Sequence, residues 1–312
     1  MTAHGPLVWG GFTALVVVLL ILDLAVLNKN THVLSMREAL RWSGSLGVMA
    51  LLFGAFLWWK EGNQHALEFY TGYLIELSLS VDNLFVFLLI FEYFAVPPAL
   101  QARALKWGII GALVMRAIMI GVGALLLARF HWIIYVFGGI LVITGIRMFY
   151  MGEESRIEPE RNPVVRLARR VMTFTERYEQ DHFFVRTATR WVATPLFLVV
   201  LVIEWSDLVF AIDSIPAIFA VTNDPFIVYS SNVFAILGLR ALFFVLAGAM
   251  DKFHYLKPAV AGILIFVGAK MVVSAWMKIS IPISLAVIIG LLTAGIGLSL
   301  LKPRLDEKAA PP

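Results

Sequence analysis

Apolar runs long enough to cross a bilayer as helix, which takes roughly 17 to 25 residues each, recur along nearly the whole chain. One sizeable polar stretch interrupts them, at about residues 151–190. The pattern predicts nine spans, at 6–27, 44–60, 66–95, 105–128, 131–150, 192–221, 226–250, 256–276 and 281–301. No Lys or Arg precedes the first run and Lys29 follows it, so it is expected to be a retained helix and not a cleaved signal. The expected fold is an all-α membrane protein of about nine transmembrane helices.

An internal repeat refines this picture. GILVITGIRM, from Gly139 to Met148, returns as GILIFVGAKM from Gly262 to Met271, and VMRA ending at Ala117 returns as GLRA ending at Ala241. The repeated units are three helices each, so the second enters the membrane from the opposite face, giving an inverted repeat. The expected organisation is 1–65, two N-terminal helices; 66–150, the first repeat; 151–190, a cytoplasmic Arg-rich loop; 191–276, the second repeat; and 277–312, the last helix and a tail. Inverted repeats recur in secondary transporters, with ion sites where the halves meet.

Composition agrees with the pattern. Hydrophobic residues make up 60% of the 312 and charged residues 15%, with mean hydropathy +0.86. That is too little polar surface to clothe a water-soluble domain. The formal net charge of +4 reflects topology and not nucleic-acid binding, because the basic residues fall in the connections. Alternating sides puts Lys29, Arg37, Arg41, Arg103, Lys106, the loop arginines, Lys252, Lys257, Lys302, Arg304 and Lys308 together, against Lys60, Arg129 and Lys278 opposite. The positive-inside bias makes the first side cytoplasmic, with the N-terminus outside and the C-terminus inside the cytoplasmic membrane. Within the loop, Val164, Leu167, Val171, Phe174 and Tyr178 recur at helical spacing, predicting an amphipathic helix against the lipid surface.

The chemistry lies in two spans. The third contains Glu76, Asp82 and Asn83 within GYLIELSLSVDNLFVF, and the sixth contains Glu204, Asp207, Asp213 and Ser214 within VIEWSDLVFAIDSIPAIF. An ionised carboxylate at mid-membrane costs roughly 2.5 to 3.5 kcal/mol even on the lenient scale, so five must be paired, protonated or bound to a cation. Two repeat registers are open: one pairs Glu76 with Asp207 and Asp82 with Asp213, the other Asp82 with Asp207. A straight helix turns Glu76 and Asp82 apart, so breaks are expected, at Pro216 in the sixth span and around Ser78, Ser80 and Asn83 in the third.

Carboxylate, amide and hydroxyl oxygens suit manganese(II), calcium or magnesium. The six histidines lie near span ends or in loops, which disfavours zinc, and the lack of cysteine removes thiolate ligation and thiol redox chemistry. A structural alternative pairs the acids with intramembrane Arg116, Arg240, Arg147 and Lys270 as ties between helices, Arg116 and Arg240 being the foremost charge-pairing candidates. Asp23 and Glu92 are ambiguous. No GxGxxG, P-loop, GxSxG or HExxH motif is present, so no enzyme activity is expected.

SVDNLFVF and IEWSDLVFAIDSIPAIFAVTNDPFIVYSSNVFAILGLRALFF resemble the TerC family of membrane proteins, in particular its Alx-like branch, and the resemblance extends from the first span to the last. It implies manganese(II) efflux, with links to tellurite resistance and alkaline-pH response, and an ion path formed or flanked by Glu76, Asp82, Asn83, Glu204, Asp207, Asp213 and Ser214. Exporting a divalent ion against about 100 mV costs roughly 4.6 kcal/mol, so coupling to proton entry is expected. The expected partners are lipids, a divalent metal ion and protons. The alternatives are a calcium or magnesium transporter and a non-transporting metal-delivery or stress-response partner of the export machinery.

Overall fold

The computed structural model describes residues 4–27, 36–130, 132–150, 163–187, 190–247, 255–274, 276 and 279–301, and of Asp23, Asp82 and Arg240 it describes the backbone alone. Helices dominate: α1 (Pro6–Leu27), α2 (Met36–Glu61), α3 (Asn63–Tyr93), α4 (Pro98–Arg129), α5 (Ile133–Tyr150), a short α6 (Pro163–Val171), α7 (Pro195–Phe219), α8 (Pro225–Ala247), α9 (Leu256–Val273) and α10 (Ile281–Leu301). Five of these, α2, α4, α5, α7 and α10, are long and apolar enough to cross a bilayer, and α1, α8 and α9 contribute further apolar stretches. Large side chains such as Leu52, Trp59, Leu125 and Ile143 lie exposed on the outside of the bundle, as expected where lipid is the solvent.

Turn chemistry sets the helix ends. Gly62, at φ 97, separates α2 from α3. After α3, Ala95 adopts φ 47, Val96 donates to the Phe91 carbonyl and Ala95 to that of Glu92. This is a Schellman cap on a residue that is not glycine, and Pro97 and Pro98 then start α4 with φ preset.

Helix directions follow from contacts. Glu68 pairs with Thr222 and Gly72 meets Ile218, so α3 and α7 are antiparallel. Gly108 meets Ile203 and Gly123 meets Phe219, so α4 and α7 are parallel. Phe69 stacks edge-on to Phe234 and Phe91 to Phe243, so α3 and α8 are parallel. The closest seam joins α5 and α9. A Cβ on Gly268 would lie 2.7 Å from the Gly138 carbonyl and 2.8 Å from the Val142 nitrogen, and one on Gly145 would lie 2.8 Å from the Ala261 carbonyl. These glycines let two antiparallel backbones touch, as small residues do in membrane bundles.

Two expectations are corrected. α3 and α7 run without a break: Pro216 lies in the last turn of α7, where the Ala220 N–H bonds its carbonyl and the helix ends soon after. The loop helix stops at Val171. Beyond it Phe174 bridges Ala193 and a small hairpin forms from β1 (Phe184–Arg186) and β2 (Trp191–Ala193), so Phe174 and Tyr178 are not on its face. Val165 and Ala168 are buried while Leu167 and Val171 are exposed. Tertiary packing overrode the periodicity: the Tyr178 hydroxyl donates to the Phe94 carbonyl at 2.7 Å, and Asp181 pairs with Arg103, whose guanidinium lies over Phe183.

Candidate functional site

Glu68, Gly72, Glu76, Ser80 and Asn83 follow one another at three- to four-residue spacing, which places them on one face of α3. All four polar members are buried. Opposite, antiparallel α7 presents Asp207, Ser214 and Ile218, with Thr222 just beyond its end. The result is a polar seam between the two helices, about 22 Å from Glu68 to Asn83 at 1.5 Å per residue.

At its middle sits Arg116 of α4, with no exposed surface. Its Nε and Nη2 donate to Asp207 at 3.2 and 2.8 Å, its Nη1 donates to Glu76, and the same Nη1 lies 3.4 Å from the Ser214 hydroxyl. A fork of five fixed donors suits this planar, two-sided grip. The centre brings two carboxyl groups to one guanidinium, and the second oxygen of Glu76 has no partner among the described residues.

The other candidates are distributed. Glu204 lies half-buried where α7 packs on α4, and its carboxylate occupies the space that a side chain at Gly111 would fill. Among the described residues no donor reaches it. Asp213, also half-buried, accepts from Thr144 of α5 at 3.1 Å. Asn83 is buried at the far end of the seam. The side chains of Asp82, Arg240 and Asp23 lie outside the described residues, and Glu92 is exposed. Among the described residues Lys270 donates to Ser284 at 3.0 Å and pairs with no acid. Among the described residues, no three His, Asp or Glu side chains are arranged to hold a metal ion. In this conformation Arg116 holds the position between Glu76 and Asp207.

Several polar residues were not singled out from sequence. Glu68 accepts from Thr222 at 2.6 Å and from Gln64 at 2.9 Å, closing one end of the seam. Beyond it, His4 lies between Asp224, at 3.0 Å, and Glu61, at 3.4 Å, with the His65 ring beside it. Asn232, on the central helix α8, has no exposed surface. The two-turn spacing from Glu68 to Glu76 carried the one usable sequence signal. His4 and Asp224 are 220 residues apart and carried none.

The profile described as "Integral membrane protein TerC family" matches residues 61–307. An "Uncharacterized membrane protein STKORF319" of Myxococcus xanthus is 52% identical over 299 residues, covering 96% of this chain and 93% of its own. Proteins named "Putative membrane-bound redox modulator Alx" are similar at 48% identity in Salmonella typhi, covering 94% of this chain and 93% of theirs, and at 47% in Escherichia coli (strain K12), covering 93% of each. No solved structure matches. A family profile spanning most of an apolar helical bundle, with relatives near half identity along almost its full length, makes the chain a multi-pass integral membrane protein belonging to the TerC family.

Proposed function

We propose that the chain is a divalent-cation transporter of the cytoplasmic membrane that exports manganese(II) in exchange for protons. The observation that carries this reading is the buried seam between α3 and α7, where Glu76, Asp207 and Ser214 converge on Arg116 and one carboxylate oxygen is left unpartnered. Hard oxygens at membrane depth are suited to manganese(II), calcium or magnesium. Arg116 acts as a tethered counter-cation that stabilises the empty site. An arriving divalent ion competes with it for Glu76 and Asp207, and carboxylates that release the ion take up protons, which supplies the coupling.

The reading takes the two three-helix units as an inverted repeat. Pairing α3 with α7, α4 with α8 and α5 with α9 exchanges the packed pair α3–α8 with α4–α7 and leaves α3–α7, α4–α8 and α5–α9 in place. The α5–α9 contact repeats too: Gly268 on Gly138 has as its counterpart Gly145 on Ala261, between antiparallel helices. The register that pairs Glu76 with Asp207 carries the Gly72–Ser231 contact to within one residue of the Gly108–Ile203 contact. The register pairing Asp82 with Asp207 misses it by nearly two helical turns. Nine spans, an outside N-terminus and an inside C-terminus fit these helix directions and the basic connections.

The Alx relatives carry "redox modulator" in their names. This chain contains no cysteine, so a redox effect here would run through the metal it moves and not through a thiol. A second reading, in which the acids are structural ties and the protein delivers or senses metal without transport, draws on the engagement of both Glu76 and Asp207 by Arg116.

The deciding experiment is manganese(II) uptake into inverted vesicles containing the purified protein, with and without an imposed proton gradient, comparing the native chain with Asp213→Asn and Asp207→Asn. Gradient-dependent uptake that both variants lose supports coupled export. Absence of uptake by well-folded native protein moves the function to metal delivery or sensing.

A further inference from the structure

The glycines of α2 differ from those of the α5–α9 seam. A Cβ built on Gly44 or Gly47 would meet nothing within 4 Å, and one on Gly238 of α8 would meet only Leu242, at 4.0 Å. Close approach of two backbones is therefore not what they serve. Together they open a slot of about 340 Å³ between α2, α3 and α8, walled by Leu40, Leu77 and Leu242. Packed protein leaves few voids larger than a water molecule, so a slot of this size calls for an occupant. Leu40, at its rim, is 52% exposed on the outside of the bundle, so the slot opens toward lipid.

Its dimensions select what fills it. From Leu40 to Gly47 the helix rises about 10 Å, and the slot volume spread along that length leaves a channel about 6 Å wide. A helix with its side chains is about 10 to 12 Å across and does not enter. An extended hydrocarbon chain does.

The charge at its mouth selects the headgroup. Arg37, Leu40, Gly44 and Gly47 follow at three- to four-residue spacing, along one stripe of α2, and Arg41 stands beside that stripe one turn from Arg37. Both arginines are exposed, whereas Glu38 is turned to the other side of the helix. α2 begins at Met36, so the two guanidiniums sit at the end of the span, where lipid phosphates lie, and a guanidinium grips phosphate through paired donors.

We propose that the slot holds an acyl chain of one anionic phospholipid whose phosphate is bound by Arg37 and Arg41. Leu77 follows Glu76 directly, so the bound chain backs α3 at the level of the Arg116 centre. The site is independent of which ion, if any, the protein moves.

The test is thermal unfolding of the purified full chain in detergent, titrated with phosphatidylglycerol or with phosphatidylcholine of the same acyl chains. For the native chain the stabilising midpoint is expected roughly tenfold lower with phosphatidylglycerol, and inorganic phosphate, which lacks the chain, is expected to give no shift. Gly47→Leu places a side chain in the open slot. Its unfolding temperature without lipid stays at or above the native value, leucine being the better helix former, and its phosphatidylglycerol midpoint rises roughly tenfold or more. Arg37→Gln together with Arg41→Gln is expected to bring the two lipids within about twofold of each other, with phosphatidylcholine unchanged. Equal midpoints of the two lipids for the native chain overturn the proposal, as does a Gly47→Leu midpoint within about twofold of native; either result marks the lipid as solvent alone. If Gly47→Leu does not fold, the double arginine variant decides, and an unchanged lipid preference there overturns the proposal. A native dimer that Gly47→Leu dissociates also overturns it, since the slot then belongs to a second copy of this chain.

Discussion

Arg116 grips Asp207 with two donors, Nε at 3.2 Å and Nη2 at 2.8 Å, across 91 residues of chain. The same guanidinium also serves Glu76, so one cation ties α3, α4 and α7 together at membrane depth. Removing it strands two buried carboxylates. Arg116→Met is expected to cost about 3 to 5 kcal/mol, read as a lower unfolding temperature in detergent. Adding Glu76→Gln and Asp207→Asn to that variant should restore most of the loss, because the uncompensated charge disappears. A triple variant no more stable than Arg116→Met would show that packing, not charge, is what Arg116 supplies.

The two ends of the glycine series should separate structure from transport. At Gly268 an added methyl meets the backbone of α5 at 2.7 and 2.8 Å, which cannot yield locally, so Gly268→Ala is expected to cost about 3 kcal/mol. At Gly111 the obstacle is the end of the flexible Glu204 side chain. Gly111→Ala should cost less than about 1 kcal/mol while moving the Glu204 carboxylate and lowering vesicle uptake. Thermal unfolding and uptake measured on the same preparations check both halves.

Thr222 donates to Glu68 at 2.6 Å where both are buried. Thr222→Val keeps the shape and deletes the donor, leaving a carboxylate with Gln64 alone. A loss of about 1 to 3 kcal/mol is expected, and Thr222→Ser should recover most of it. Equal stability of the Val and Ser variants would place the value of this contact in packing.

Tyr178 anchors the loop to the α3–α4 turn through the Phe94 carbonyl, and burial pushes its phenol up to about 12. The folded value lies above the ordinary value of 10.0, so the neutral phenol is favoured in the folded state. Its contribution is complete below pH 10 and is lost as pH rises through about 12. Tyr178→Phe should remove one late-titrating phenol from the absorbance titration and increase proteolysis of the 163–187 segment at neutral pH. Unchanged proteolysis would show that Arg103 and Asp181 hold the loop without it.

The apolar runs determined the helices. In a bilayer every backbone donor must be satisfied within its own segment, so α1 to α5 and α7 to α10 lie close to the stretches the hydropathy pattern predicts, and the costly residues Glu76, Asp207 and Ser214 identified themselves by their position in apolar sequence. The recurrence of Gly139–Met148 as Gly262–Met271 was legible because the two stretches still share residues. Which acid meets which base was not legible. Arg116 faces Glu76 and Asp207, Asp213 turns to Thr144, and Glu204 sits against Gly111, because those choices depend on how four helices cross, and sequence spacing fixes a face but not its partner. The unbroken α7 through Pro216, the end of the loop helix at Val171 and the place of Asn232 on a helix buried on nearly all sides were likewise decided by packing. Contacts between residues distant in the chain leave no period along it, and tertiary structure alone brings them together.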